Sequence, residues 1–245
     1  MQCSLHCAQH TSSRQASLGR RLRSPQCSIR RRLALQSAKI VQETGPEVEE
    51  LVSAIRRACI FPGTITAKRT LDAMLKLEKM RVKPSPAWAD IISAPGVHWR
   101  LMFTAAAKDV VAAQKKPGAG SVTSFPLAAC QKFDGREGSF ENGVFLGNLA
   151  HLTFKGPMAL DGRRLSFDVD KMYIGLGPWR ACVPLKAERD LAALDAKERG
   201  KLPFFLYAYV DDGLIVGRGR SGGLAVWMRA DSEWAARAGV LQVYG

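Results

Sequence analysis

The chain has 245 residues, 47% of them hydrophobic, and a formal net charge of +14. This length allows one core of roughly 150 to 200 residues with a leader or peripheral helices beside it. No stretch approaches the roughly 18 uninterrupted apolar residues of a membrane-spanning helix. The composition therefore excludes a helical membrane-spanning protein and predicts a soluble or peripheral one.

The positive charge is concentrated at the start of the chain. Residues 1–42 contain seven Arg, one Lys and seven Ser, with no Asp or Glu. Removing those eight basic residues from the total of 36 leaves 28 against 22 acidic residues, a modest excess that argues against a nucleic-acid partner. An Arg-rich, Ser-rich, acid-free segment is typical of a disordered organellar transit peptide. A basic tail that binds an anionic partner is the alternative.

The segment 43–95 carries helical patterns and is predicted to form a helical adjunct. The sequence TGPE at residues 44–47 is a capping pattern that places the start of a first helix, and apolar residues follow at helical spacing. A second helix is predicted from Thr66 to about Met80, before two nearby prolines end it. These helices are expected to pack beside the main domain.

From Trp99 onward the apolar pattern changes from a helical period to strict alternation, which indicates half-buried strands. Residues 96–245 are predicted to form eight to ten short strands in a mainly β barrel or sandwich, preceded by two or three short helices. Segment 108–120 is predicted to be a mobile loop and segment 187–199 a short surface helix. The residues of one strand parity predict an apolar interior and are the candidates to line a ligand cavity: Leu101, Phe103, Leu152, Phe154, Leu165 and Phe167.

The cysteines and histidines assemble no recognisable site. Cys59, Cys130 and Cys182 are the cysteines that follow the leader, and their odd number and wide spacing fit neither a disulfide framework nor a zinc site. His98 and His151 stand at no metal-ligand spacing and near no candidate nucleophile. We therefore predict no catalytic residue, no metal and no cofactor, and hence a protein that is not an enzyme.

Two short motifs resemble chemical sites. The sequence YVDD at residues 209–212 has the form of the turn that holds two metal-binding carboxylates in reverse transcriptases, but such a site also needs a further carboxylate and room for a template. Residues 217–222 match G-x-G-x-x-G, yet a dinucleotide fingerprint opens a βαβ unit and only 23 residues follow here. Both motifs are interpreted as turns between strands.

Three segments carry a resemblance to a known family. The strand HWRLMFT at residues 98–104 is similar to a W-R-L-x-[YF]-T opening strand, and residues 177–185 resemble a G-P-x-x-x-x-x-P-L segment. Residues 209–226 are similar to the ending Y-L-D-x-D-L-R-I-x-R-G-x-x-G-x-x-F-V, with departures at Gly213, Ile215 and Ala225. Together these segments resemble the plastid lipid-associated proteins, also called PAP/fibrillin.

The resemblance implies a lipocalin-like antiparallel barrel in a plastid protein, with the leader as a plastid transit peptide. It implies an apolar lipid or prenylquinone as ligand, and peripheral contact with thylakoids or plastoglobules. It brings no catalytic residues. It also implies that Arg218 of the last hairpin stacks on Trp99 of the first strand to close the barrel, and the alternative is an exposed turn arginine beside Arg220.

Two other functions remain open from the residues. A barrel filled by its own side chains would act as a structural or assembly factor without a ligand. A tetrapyrrole carrier would use His98 or His151 as an iron ligand.

Overall fold

A computed structural model describes residues 45–244 of the chain. The predicted transit peptide, residues 1–42, lies outside the described residues. The helices are α1 (Pro46–Ile60), α2 (Ala67–Met80), α3 (Trp88–Ile92), α4 (Ala107–Lys115), α5 (Ala196–Lys201), α6 (Ser232–Arg237) and α7 (Val240–Tyr244). The strands are β1 (Trp99–Ala105), β2 (Thr123–Ser124), β3 (Ala128–Asp134), β4 (Ser139–Leu146), β5 (Ala150–Asp161), β6 (Arg164–Phe167), β7 (Lys171–Leu176), β8 (Trp179–Pro184), β9 (Phe204–Val210), β10 (Leu214–Gly219) and β11 (Leu224–Arg229).

Eight of these strands close into an antiparallel barrel. Around the barrel their order is β1, β3, β4, β5, β6, β9, β10 and β11, and β11 returns to pair with β1. The strands thus follow one another in chain order, which is the up-and-down arrangement of lipocalin-like barrels. The prediction of a mainly β, lipocalin-like barrel preceded by short helices is confirmed.

The barrel interior is packed with aromatic side chains. Trp99, Phe140 and Trp227 are almost wholly buried there. Helix α3 contributes Trp88, whose ring meets Tyr207 edge-on with centroids 5.5 Å apart. The indole N–H of Trp99 donates to the carbonyl of the last residue of α3 at 2.9 Å, so no polar atom of that ring is left unpaired.

Helices α1 and α2 pack on the outside of the barrel. Their apolar stripes, which include Ile55, Leu71 and Met74, are buried against the outward-facing residues of β9, β10 and β11. The last strands are therefore buried on both faces and read as continuous apolar runs. Helix α1 begins at Pro46 after the N-cap residue Gly45, which has no side chain to cap it.

Two local predictions are wrong. Segment 108–120, predicted as a loop, contains helix α4, because Val110 and Ala113 lie one turn apart and are buried in the same outer cluster. An acidic residue in its first turn and a lysine in its last match the helix dipole. The surface helix predicted at 187–199 is replaced by α5, which starts at residue 196 with Asp195 as its N-cap.

The hairpin β7–β8 lies outside the closed ring. Strand β5 is 12 residues long, and one edge of it serves two partners. Residues 158–161 of β5 pair with β6, whereas residues 150–155 pair with β7. Strand β6 continues around the barrel to β9, while β7 pairs with β8. The wall of the barrel therefore flares at this end into a four-stranded sheet, β4–β5–β7–β8.

Candidate apolar-ligand site

The flared sheet carries a continuous apolar surface on the side that faces the barrel interior. Direct cross-strand neighbours lie on the same side of a sheet, and Phe140 of β4 belongs to the interior cluster. Every second residue from Phe140 along β4, and the residues paired with them on β5, β7 and β8, therefore share that side. This side also carries the half-buried Asn142. We call its apolar residues the apolar face: Val144, Leu146, Ala150, Leu152, Phe154, Met172, Ile174, Leu176, Trp179, Ala181 and Val183.

Much of the apolar face is exposed to solvent. The exposed fraction is 37% for Leu152, 45% for Ile174, 68% for Leu176 and 80% for Trp179. The cause is topological: β9 pairs with β6, so in the described part of the chain no strand pairs with the outer edge of β8. Scattered exposed apolar residues are ordinary on protein surfaces, but a contiguous group of large ones marks an interaction or ligand site.

The opposite side of the same sheet is polar. Lys155 forms an ion pair with Glu141 at 3.2 Å, and the guanidinium of Arg180 lies 4.6 Å from the ring centre of Tyr173. The sheet is thus amphipathic, with its charged side turned away from the barrel interior. This contrast shows that the exposure of the apolar face is a specific feature of one side of the hairpin.

Two neighbouring turns form the tip of the flared sheet. The backbone N–H of Gly177, in the β7–β8 turn, donates to the carbonyl of Leu149, in the β4–β5 turn, at 2.7 Å. Leu149 is 76% exposed. This hydrogen bond holds the two turns together, so the exposed Leu149 lies close to Leu176 and Trp179 at the tip of the flared sheet.

The six predicted cavity residues do not share one enclosed cavity. Three of them, Leu101, Leu165 and Phe167, pack in the barrel interior. The next two, Leu152 and Phe154, lie on the apolar face. The prediction for the sixth residue, Phe103, is wrong. A β-bulge between Leu101 and Phe103 shifts the register against β11. It therefore turns Phe103 outward into the cluster with α1 and α2.

The predicted stacking of Arg218 on Trp99 is also corrected. The first and last strands do pair, but Trp99 points into the barrel and Arg218 points out of it. Arg218 forms a two-point ion pair with Glu78 of α2, with N–O distances of 2.6 and 2.5 Å, and also donates to the carbonyl of Gly222. It joins a helix to the barrel wall instead of closing the sheet.

The interior of the closed barrel, next to the apolar face, is filled by aromatic rings. The ring of Phe167 lies 4.4 Å from that of Phe140 and 5.3 Å from that of Phe205. Phe205 in turn meets Trp227 edge-on at 5.2 Å. This layer of aromatic rings crosses the barrel from one wall to the other, so an apolar ligand would lie on the flared sheet above it.

The YVDD motif forms the turn between β9 and β10. The carboxylate of Asp211 accepts hydrogen bonds from the backbone N–H groups of Gly213 and Leu214, at 2.9 and 2.8 Å. Its other oxygen accepts from the Tyr209 hydroxyl at 2.8 Å and from Arg56 of α1 at 2.5 Å. Both oxygens are occupied by protein donors, so the turn interpretation is supported by the contacts.

Replacing Asp211 by Asn is expected to lower the free energy of unfolding by about 1–2 kcal/mol. The amide oxygen can still accept from the backbone, but an NH₂ group then faces the guanidinium of Arg56. Chemical denaturation measures the change, with the exposed neighbour Asp212→Asn as the matched control, expected within 0.5 kcal/mol. Saturable magnesium binding that Asp211→Asn abolishes would contradict the turn interpretation.

The G-x-G-x-x-G match lies in the β10–β11 hairpin. Gly219 donates to the carbonyl of Gly223, and Gly222 has a φ of 89°, which a residue with a side chain rarely adopts. No helix follows it, since β11 begins at Leu224. The glycines serve a tight turn.

The two histidines of the described residues, His98 and His151, lie on the outer side of the barrel wall. His98 stacks on Tyr244 of α7 with ring centres 5.9 Å apart, and His151 stacks on Phe145 at 6.2 Å. Burial lowers the pKa of each imidazole, so both are neutral near pH 7. Neither belongs to the apolar face, which gives no support to the tetrapyrrole hypothesis.

Within residues 45–244, no group of three or more His, Cys, Asp or Glu side chains is arranged to hold a metal ion. None of the helices described is long and apolar enough to cross a membrane.

Comparisons with solved structures find distant neighbours. No family model and no curated protein matches the chain. A lipocalin-like protein from Bacteroides uniformis is 12% identical with a TM-score of 0.35, and it covers 57% of this chain and 99% of its own. A protein from Burkholderia xenovorans is 14% identical with a TM-score of 0.30, and it covers 58% of this chain and 87% of its own. The closed barrel follows from the strand pairing described above.

Proposed function

We propose that this protein binds an apolar lipid across the apolar face. The observation that carries the proposal is the exposure of large apolar side chains on the interior-facing side of β5, β7 and β8, against a charged opposite side. Burying one such side chain contributes about 1.5–3 kcal/mol, so a ligand that covers three or four of them gains enough free energy for specific binding.

The shape of the apolar face favours an elongated ligand. Four strands at about 4.8 Å spacing make a surface roughly 14 Å wide, which runs from the aromatic layer to the rim of the sheet. A flat ring with a prenyl chain, as in a prenylquinone, would lie along it, with its more polar end at the solvent-exposed tip. The proposed function is binding alone, without catalysis of a reaction.

The cellular setting is part of the same proposal. The Arg-rich and Ser-rich start of the chain and the resemblance to plastid lipid-associated proteins support a plastid location, at the periphery of thylakoids or plastoglobules. The tip of the flared sheet supports contact with such a surface, because Leu149, Leu176 and Trp179 are exposed there together. Tryptophan favours the boundary between an apolar phase and water.

The filled interior favours a second candidate function. The aromatic layer from Phe140 to Trp227 leaves the closed barrel without space for a ligand. A filled barrel of this kind fits a structural or assembly factor. In that case the apolar face would contact a partner protein instead of a lipid. Direct measurement of lipid binding separates the two functions.

The test is titration of the full chain with a short-chain prenylquinone such as decylplastoquinone. Quenching of tryptophan fluorescence is expected to report binding, because Trp179 lies on the apolar face. The double variant Ile174→Ser, Leu176→Ser is expected to raise the dissociation constant at least 10-fold, since each change removes apolar contact worth more than 1 kcal/mol.

The matched control is Leu206→Ser on the outer side of β9. Leu206 is 40% exposed, close to the value of Ile174, but it does not belong to the apolar face. The control should bind the quinone like the unchanged protein. No saturable quenching in the unchanged protein would contradict lipid binding and favour the assembly function.

A further inference from the structure

A cavity lies outside the barrel, against helices α1 and α2. It has a volume of about 480 Å³ and lies between the corner joining α1 to α2 and the strands β1 and β2. This volume falls in the range of small-molecule sites. Its lining is largely apolar, with Ala58, Ile65, Met102, Phe103, Val122 and Phe125 among its walls.

One charged residue lines this cavity, Arg100 of β1. Its guanidinium lies over the indole of Trp234, 4.8 Å from the ring centre. Within residues 45–244 it makes no hydrogen bond or ion pair, whereas Arg56 and Arg218 each have a carboxylate partner. Arg100 is thus a cation at the cavity wall that stacks on an indole and has no carboxylate of the described residues within ion-pair distance.

The surroundings of Arg100 do not neutralise it. Burial lowers the pKa of Arg100, while the carboxylate of Asp231 raises it from beyond ion-pair distance. Burial raises the pKa of the Cys59 thiol, the other titratable group in the lining, to about 12, so this thiol stays uncharged. A partly desolvated cation beside a neutral thiol gains most from an anionic ligand group.

The start of α2 adds to the positive potential. Ala67, its first residue, lines the cavity, and its first turn contains no acidic residue. The Thr66 hydroxyl accepts a hydrogen bond from the backbone N–H of Arg69, and the Thr70 hydroxyl donates one to the Thr66 carbonyl. Both hydroxyls are therefore occupied within the helix. Of the other polar side chains in the lining, Arg100 is charged and can pair with an anionic group, whereas Ser124 supplies a neutral hydroxyl.

We propose that this cavity binds an amphiphilic carboxylate, an unbranched chain of fatty-acid type whose head group pairs with Arg100 and whose chain lies against the apolar wall. This site is separate from the apolar face, and its occupation does not depend on the function proposed above. Arg100 provides one positive charge, which matches one anionic head group. Arginine and a carboxylate form two parallel hydrogen bonds, which makes this head group the best fit.

The experiment titrates the full chain with dodecanoate and with dodecanol, followed by calorimetry. The two probes share a chain and differ in the charge of the head group. Arg100→Gln is expected to weaken dodecanoate binding at least 10-fold and to change dodecanol binding less than 2-fold. Arg220→Gln, an exposed arginine on the β10–β11 turn, is the matched control and should leave both unchanged.

Three further variants keep the test decisive. Arg100→Lys retains the charge and should bind dodecanoate more tightly than Arg100→Gln does. Ser124→Trp, which adds bulk at an exposed residue of the lining, should weaken both probes. The Ile174→Ser, Leu176→Ser variant should leave dodecanoate binding intact, which separates this site from the apolar face.

Three outcomes would overturn the proposal. One is the absence of dodecanoate binding to the unchanged protein. Another is a loss of dodecanoate binding in Arg100→Gln that is no larger than the loss of dodecanol binding. The third is loss of dodecanoate binding in the apolar-face variant, which would place the ligand on the flared sheet.

Discussion

Replacing Phe140 by Ala is expected to lower the free energy of unfolding by about 3–5 kcal/mol, the largest effect that we predict for a single change. Phe140 is almost wholly buried and stands between Phe133 and Phe167 in the aromatic layer, with ring centres 5.7 and 4.4 Å away. The variant loses the apolar transfer energy of the ring and leaves a cavity that the closed barrel wall cannot collapse to fill.

Chemical denaturation measures this loss, and Phe61→Ala is the matched control. Phe61 follows α1 and is 58% exposed, so its removal should change the free energy of unfolding by less than about 0.5 kcal/mol. A loss below 1 kcal/mol for Phe140→Ala would show that the aromatic layer is loosely packed. Such a result would reopen the barrel interior as a place for a ligand.

Replacing Arg218 by Ala is expected to cost about 2 kcal/mol of unfolding free energy. The ion pair with Glu78 has two short hydrogen bonds and is only about one-fifth exposed on either side. Removing the arginine leaves the Glu78 carboxylate without its partner between α2 and the barrel. Because α2 packs on β9 and β10 through apolar contacts as well, the variant should still fold.

A double-mutant cycle with Glu78→Ala tests the pair itself. The coupling energy should reach about 1 kcal/mol, and Arg220→Ala, the exposed neighbour, should cost clearly less than Arg218→Ala. Equal small effects for Arg218 and Arg220 would mean that the ion pair contributes nothing measurable. The cycle also checks the corrected role of Arg218, since stacking on Trp99 would give no coupling to Glu78.

The periodicity of the sequence predicts most of the fold. A helical period over α1 and α2, followed by alternation from Trp99, gives the order of helices and strands because each period reports which side of an element is buried. The bulge at Met102 cannot be predicted in this way, since an extra residue in a strand leaves the local alternation intact and changes only the pairing with β11. That is why Leu101 is predicted correctly to face inward and Phe103 is not.

The candidate site is predicted in part. Leu152 and Phe154 are assigned to the interior-facing parity of their strand, and the structure places them on that side. The sequence analysis does not assign the other residues of the apolar face to a ligand site. The alternation of Met172, Ile174 and Leu176 is the signal that could have identified them. The missing information is the pairing of one edge of β5 with both β6 and β7, a long-range contact that no local pattern encodes.

The sharing of strand β5 makes the apolar face a rigid surface. Between β6 and β7, the N–H groups of Asp168 and Asp170 donate to the carbonyls of Pro157 and Lys155 on β5, so the flared sheet is held along its length to the same strand as the barrel. A ligand would bind to a sheet surface that is already formed, so its binding would not have to order a loop or a lid. Little conformational entropy would be lost on binding, and apolar contact made there would be retained as affinity.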